Sequence, residues 1–169
     1  KKLSEERGAC PDAEEYGFKE RFSNKTAIAP TASISIICGG ASPGIEPVAA
    51  NSYTHKTLSG SYNVRNRYLK EVLQKYERDN DKVWSSITTN QGSVEHLDFL
   101  NKNEKNVFKT AFELDQKWIV ELGADRTSYI SQAQSINIFL PADVHKKELH
   151  LIHFQAWKKG LKSLYYCRS

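Results

Sequence analysis

The sequence predicts an α/β protein built on a parallel sheet or barrel, and three observations carry that expectation. The last stretch reads strand, helix, strand: residues 135–140 alternate and are rich in Ile and Phe, residues 144–159 are helical and stop at Gly160, and residues 161–167 return as a strand. Such a unit joins parallel neighbours, because parallel strands need a long crossover. Nearer the start, the short apolar run Ala27-Ile28-Ala29 enters Pro30 and a helix start made of small residues, a second strand-to-helix passage. The chain has 169 residues, 39% hydrophobic and 26% charged, which suits one ordinary globular unit with a sizeable core.

The elements follow in order. Residues 1–7 are charged and helix-compatible, and Gly8-Ala9-Cys10-Pro11 breaks them. Residues 27–29 are a candidate buried strand, and residues 31–37 a helix. Gly39-Gly40-Ala41-Ser42-Pro43-Gly44 reads as a loop. Residues 52–58 and 61–64 flank Ser59-Gly60 as a hairpin. Tyr68, Leu69, Val72, Leu73 and Tyr76 recur at helical spacing, which predicts a helix over 68–77. Residues 83–89 form another short helix. Residues 96–100 and 105–122 read as helical, the second with a wide apolar stripe (Val107, Phe108, Ala111, Phe112, Leu114, Trp118, Ile119 and Leu122) ended by Gly123. Pro141-Ala142-Asp143 starts the last helix. No internal repeat or low-complexity tract is present.

Charge and cysteine content narrow the function class. The formal net charge is +4, with Lys and Arg mixed among Asp and Glu, a pattern of solvated surface rather than of a nucleic-acid face. No apolar run approaches the roughly 20 residues that cross a bilayer, and no basic-then-apolar leader opens the sequence. The cysteines are Cys10, Cys38 and Cys167, an odd number without C-x-x-C spacing, which points to a reducing, cytoplasmic setting. The sequence contains no Met and opens on Lys1. It also closes just after the strand-like Leu164-Tyr165-Tyr166-Cys167. Both features lead to the expectation of a piece of a longer chain.

Three constellations could carry chemistry. In Ala29-Pro30-Thr31-Ala32-Ser33-Ile34-Ser35 a strand runs into a helix start whose free N–H groups, small side chains and hydroxyls suit an anion, a phosphate cradle without a lysine. The competing reading is that Thr31 only caps the helix. Tyr165-Tyr166 are adjacent on the final strand. Neighbours in a regular strand face opposite ways, so a working pair requires irregular backbone, and core packing is the plainer reading. His145, His150 and His153 share a helix. His145 and His153 stand about 12 Å apart along its axis, and no Cys or carboxylate completes a site for His150 and His153. Glu46, in Gly44-Ile45-Glu46-Pro47, could shape a site or simply bond to backbone. Cys38 and Cys167 read as buried small apolar residues.

Taken in order, these segments resemble the large (catalytic) subunits of class I ribonucleotide reductases. The resemblance runs through Asn24-Lys25-Thr26-Ala27-Ile28-Ala29-Pro30-Thr31-Ala32-Ser33-Ile34-Ser35, then Ser42-Pro43-Gly44-Ile45-Glu46-Pro47 and Tyr53-Thr54-His55-Lys56-Thr57-Leu58-Ser59-Gly60. It continues through Ala124-Asp125-Arg126, Gln132-Ala133-Gln134-Ser135-Ile136-Asn137-Ile138 and the run from Ala156-Trp157 to Arg168-Ser169. It implies that residues 1–169 are a single segment, the C-terminal portion of a ten-stranded α/β barrel, incomplete alone. It further implies that Thr31, Ala32, Ser33 and Ile34 bind the substrate diphosphate. Tyr165 and Tyr166 would be the stacked tyrosines of a radical relay, Tyr166 facing the small subunit and Tyr165 passing the oxidising equivalent to a cysteine elsewhere in the large subunit.

The same resemblance implies that this chain binds no cofactor itself, and that a metal-containing small subunit supplies the radical. A thioredoxin- or glutaredoxin-type reductant would support turnover. The implied partners are the remainder of the large subunit, the small subunit and a nucleoside diphosphate substrate, with neither nucleic acid nor membrane. The family's Asn-x-Cys-x-Glu finger loop, its active-site cysteine pair, its effector region and its mobile cysteine tail are not among these residues, so no thiol role passes to Cys10, Cys38 or Cys167. Asn66-Arg67 stands where the family has Asn-Pro. The alternative is a non-catalytic nucleotide-binding or scaffolding remnant, against which the intact phosphate loop and tyrosine pair argue.

Overall fold

A computed structural model describes residues 2–38, 42–58 and 60–169. Gly39, Gly40 and Ala41 of the expected loop, and Ser59 of the expected turn, lie outside the described residues.

The strand–helix–strand unit forms as expected. β3 (Ile138–Phe139) pairs in parallel with β4 (Cys167–Arg168), in the register Ile138 to Cys167 and Phe139 to Arg168. The helix α8 (Lys146–Lys158) makes the crossover, with His145 as N-cap and Gly160 at φ +79 just past its end. β3 is shorter than the run at 135–140, and β4 overlaps the expected strand over 161–167 only at Cys167. Residues 134–136 and 138–140 are buried without alternation, because this strand is covered on both faces, as parallel strands are.

On its other side lies the chain at 26–28. Ile28 bridges Gln134 in parallel, Gln132 N–H donates to Thr26 O at 3.0 Å, and Ser135 N–H donates to Ile28 O at 2.8 Å. The expected strand over 27–29 is therefore a single bridge, and only Ile28 is partly covered. The buried strand was an overestimate, since the far side of this segment has no neighbour among the described residues. Among the described residues the sheet is unclosed, with β4 along an open edge.

Helix α7 (Gln116–Thr127) packs on β3, and α8 packs on α7. Their core holds Ala111, Ile119, Val120, Ile136, Ile138, Phe139, Leu140, Ile152 and Ala156. Lys159 Nζ and Gln155 Nε2 both reach the Glu121 carboxylate at 2.6 Å and pin α8 to α7. Gly123 does not terminate a helix. It lies buried inside α7, where a Cβ would come within 2.6 Å of Ile136 Cδ1.

The expected helix over 105–122 is three pieces: α6 (Lys102–Val107), a single 3-10 turn (Ala111–Glu113) and α7. Asn101, Thr110 and Asp115 take N-cap positions and restart the chain each time. Residues 96–100 form turns instead of a helix, although Leu97 and Leu100 are buried.

The hairpin and the next two helices agree with expectation. β1 (Ser52–Thr57) pairs antiparallel with β2 (Gly60–Arg65). α4 (Arg67–Lys75) and α5 (Asp81–Thr89) bury Leu69, Leu73, Trp84 and Ile87 in a second core with Val94, Leu97, Leu100 and Phe108. Each such side chain contributes about 1.5–3 kcal/mol on full burial. Asn66 caps α4 by accepting from Tyr68 N–H at 3.0 Å, and Arg67 occupies the first helical position, which suits proline equally well.

Near the start, α1 (Lys2–Arg7) ends at Gly8, φ +81. Pro11, read as a breaker, opens a further short helix, α2 (Pro11–Glu15). No described helix is long and apolar enough to cross a membrane.

Candidate functional site

The first candidate segment leaves the sheet at Pro30. Helix α3 (Ala32–Ile37) follows, with Thr31 at the N-cap position. Thr31 does not cap it with its side chain. Its N–H and its Oγ1 both donate to Pro43 O, at 3.1 and 2.9 Å, and tie the helix start to residues 42–47. Among the described residues, the N–H groups of Ala32, Ser33 and Ile34 and the Ser33 hydroxyl have no partner, and all three residues are exposed. The donors left for an anion are therefore those of residues 32–34, with Thr31 fixing the loop. Ser35 is buried and donates back to Ala32 O at 2.8 Å.

Tyr165 and Tyr166 lie across the sheet on the approach to β4. Tyr165 N–H donates to Ile136 O at 2.8 Å, whereas Ile138 N–H donates to Tyr166 O at 2.8 Å. In a regular parallel ladder one residue would serve both partners. Here two residues stand opposite one, Asn137, so the strand carries a bulge. The bulge supplies the irregular backbone that two adjacent side chains need to meet. The rings lie 4.2 Å apart between centroids, and their planes cross at 56°, so they are tilted rather than stacked face to face.

About half of each tyrosine remains exposed. Contact with the Tyr166 phenol, then its charge and partial burial, hold the Tyr165 phenol above its ordinary value, against a weaker opposing pull from Arg168. The Arg168 guanidinium sits over the Tyr166 ring at 4.6 Å.

Between the two segments stands Glu46, buried to 5% exposure. Its Oε1 accepts from Asn137 N–H, and its backbone O accepts from the Ser42 hydroxyl. Sequence reasoning offered Glu46 as a loop carboxylate bonded to backbone, and it is one, but the backbone belongs to the central strand. Asn137 went unnoticed as a functional candidate. A polar residue between Ile136 and Ile138 was the available signal, and its Oδ1 is buried without a hydrogen-bond partner among the described residues.

The other candidates do not assemble. His145 Nδ1 accepts from Lys147 N–H at 3.1 Å as the cap of α8, His153 Nδ1 meets Leu149 O at 2.8 Å, and His150 stacks on Phe154. Among the described residues no group of three His, Cys, Asp or Glu side chains is placed to hold a metal ion. Cys38 and Cys167 are exposed, contrary to the expectation of burial. Cys38 ends a short surface helix, and Cys167 lies on the open edge strand.

A family model described as "Ribonucleotide reductase, barrel domain" matches residues 7–167. The chain belongs to that family. It is 52% identical over 167 residues to a ribonucleoside-diphosphate reductase large subunit of Invertebrate iridescent virus 6, covering 96% of this chain and 17% of that protein. It is 41% identical to a putative large subunit of Frog virus 3, covering 99% of this chain and 29% of the relative. Among solved structures it superposes on the Actinobacillus ureae class Id ribonucleotide reductase alpha subunit with a TM-score of 0.82 and 34% identity, over 99% of this chain and 30% of that one.

The chain thus spans less than a third of the length of these relatives. The parallel strands at 26–28, 132–139 and 165–168 are a partial section of a barrel domain of the ribonucleotide reductase family. The first candidate segment follows the carboxyl end of the strand at 26–28, where α/β folds place their sites, whereas Tyr165 and Tyr166 open the strand at 165–168, opposite Asn137.

Proposed function

We propose that this chain is the part of a ribonucleoside-diphosphate reductase large subunit that holds the substrate diphosphate and ends the radical relay. The observation that carries the reading is the tyrosine bulge. An extra residue opposite Asn137 lets two chain neighbours bring their rings to 4.2 Å, which a purely structural edge strand has no need to do.

The diphosphate meets the exposed N–H groups of Ala32, Ser33 and Ile34 and the Ser33 hydroxyl. Thr31 takes part as well, by holding the helix start against Pro43. Backbone donors and a helix start neutralise an anion without a lysine. The phenols of Tyr166 and Tyr165 each give up an electron and a proton in turn and recover both, so one oxidising equivalent passes inward. Tyr166 faces the small subunit, which brings the metal that generates the radical. A cysteine elsewhere in the large subunit receives the equivalent from Tyr165. A thioredoxin- or glutaredoxin-type protein resets the active-site thiols, in a cytoplasmic, reducing compartment.

The second reading, a nucleotide-binding scaffold that has lost the reaction, makes an opposite prediction. A complete large subunit carrying this segment, mixed with small subunit, a nucleoside diphosphate and a dithiol reductant, is assayed for deoxynucleotide. Formation of deoxynucleoside diphosphate supports the reductase. Assembly and substrate binding without product would overturn it in favour of the scaffold.

A further inference from the structure

We infer that Glu46 is a positioning residue that couples the diphosphate loop to the Tyr165–Tyr166 pair. The inference rests on the functional reading above, and it assigns work to a buried carboxylate that the reading does not use.

The geometry begins where the segment at 26–29 leaves the sheet. Ser135 N–H donates to Ile28 O, and the next donor in register on that side is Asn137 N–H. In an unbroken ladder it would meet the carbonyl of Pro30. The chain turns away at Pro30 toward α3, and Glu46 Oε1 takes the vacated acceptor position. The carboxylate therefore substitutes for a strand at the point where the diphosphate loop departs.

Asn137 is also the residue that faces the bulge on the opposite edge. Its amide is held by Glu46, while its neighbours Ile136 O and Ile138 N–H are divided between Tyr165 and Tyr166. Fixing Asn137 fixes the single residue around which the tyrosine backbone is doubled.

The other end of the connection is equally short. Thr31 donates twice to Pro43 O, and Ser42 donates to Glu46 O, so residues 42–46 form a bracket between the helix start and the strand. Gly44 is part of it, because a Cβ there would collide with Glu46 Oε2. Burying a carboxylate is costly, and a neutral loop residue would brace a surface at less expense. What the carboxylate adds is an acceptor of fixed reach, set between the two segments that must act together.

The test uses the complete large subunit with its small subunit. Glu46→Ala removes the acceptor, and kcat falls about 10- to 100-fold, as small misplacements at a remote support do. Glu46→Gln keeps an acceptor oxygen and restores most of the turnover. Glu46→Asp withdraws the acceptor and resembles Glu46→Ala. Loss of the small-subunit radical on mixing with a substrate analogue that traps the oxidising equivalent slows in parallel with kcat, while affinity for the small subunit stays at the parent value.

A merely structural brace would instead lower the melting temperature and leave kcat per assembled complex unchanged, which would overturn the inference. So would Glu46→Gln as slow as Glu46→Ala, because the charge and not the acceptor would then matter. If Glu46→Ala does not fold, the contrast between Gln and Asp decides alone. Tyr165→Phe is run alongside. An active Tyr165→Phe overturns the relay itself, whereas an inactive Tyr165→Phe beside a fully active Glu46→Ala overturns only the role of Glu46.

Discussion

Tyr165 and Tyr166 are sequence neighbours whose ring centroids lie 4.2 Å apart, because Tyr165 serves Ile136 and Tyr166 serves Ile138 across a single opposing residue. The largest cause of the raised Tyr165 pKa is its contact with the Tyr166 phenol. Tyr166→Phe removes that contact. The Tyr165 phenol then titrates at lower pH, closer to its ordinary 10.0, which phenolate absorbance or fluorotyrosine NMR at position 165 reads directly.

How much of this was legible in the sequence differs by segment. The β3–α8–β4 unit was legible because alternation, helical spacing and Gly160 all agree over a long stretch. The run from 105 to 122 reads as one helix because its apolar residues match helical spacing, yet Val107, Trp118 and Leu122 are exposed and the N-caps Thr110 and Asp115 interrupt the pattern. The signals existed: Asn101 with Glu104, and Thr110 with Glu113, both form capping boxes. The bond from Asn137 to Glu46 joins residues 91 apart, and no local pattern announces a contact of that kind. The tyrosine bulge was legible only as a requirement, since a doublet in a strand says nothing of the ladder beside it.

The diphosphate loop makes a kinetic prediction. Ala32→Asp places a carboxylate beside the unpartnered N–H groups of residues 32–34, where it competes with and repels a substrate anion. KM for the nucleoside diphosphate rises by about tenfold or more, the scale of one lost charge-assisted hydrogen bond. Melting temperature and small-subunit affinity stay near the parent values. Steady-state kinetics on the complete enzyme measures the split.

Gly123 makes a packing prediction. Alanine has the better helix propensity by about 1 kcal/mol, but its Cβ would meet Ile136 Cδ1 at 2.6 Å and Leu161 Cδ2 at 3.3 Å. Overpacking of this kind costs about 1–3 kcal/mol and wins. Gly123→Ala lowers the urea midpoint, and Ile136→Val in the same chain recovers part of the loss by removing the methyl that clashes. A double-mutant cycle measures the coupling.

Glu113 makes a pH prediction. Burial pushes its carboxyl up, but hydrogen bonds from the Ser93 hydroxyl and from Thr110 outweigh that, with help from Lys109, and its pKa is lowered from 4.5. A carboxylate lowered in the folded state adds stability above its unfolded pKa and loses it as pH falls through the folded value. Stability therefore gains a dependence on acid below about pH 4.5. Glu113→Gln, which keeps the capping geometry without the titrating proton, flattens that part of the melting-temperature profile.

The central claim is that the tyrosine pair carries an oxidising equivalent to the substrate site, and removal of a single phenolic oxygen tests it. Tyr165→Phe is made in the complete large subunit, and substrate binding, small-subunit affinity and deoxynucleotide formation are measured together. The account predicts that both affinities persist while deoxynucleotide formation disappears. Turnover at the parent rate with the phenylalanine in place would contradict it.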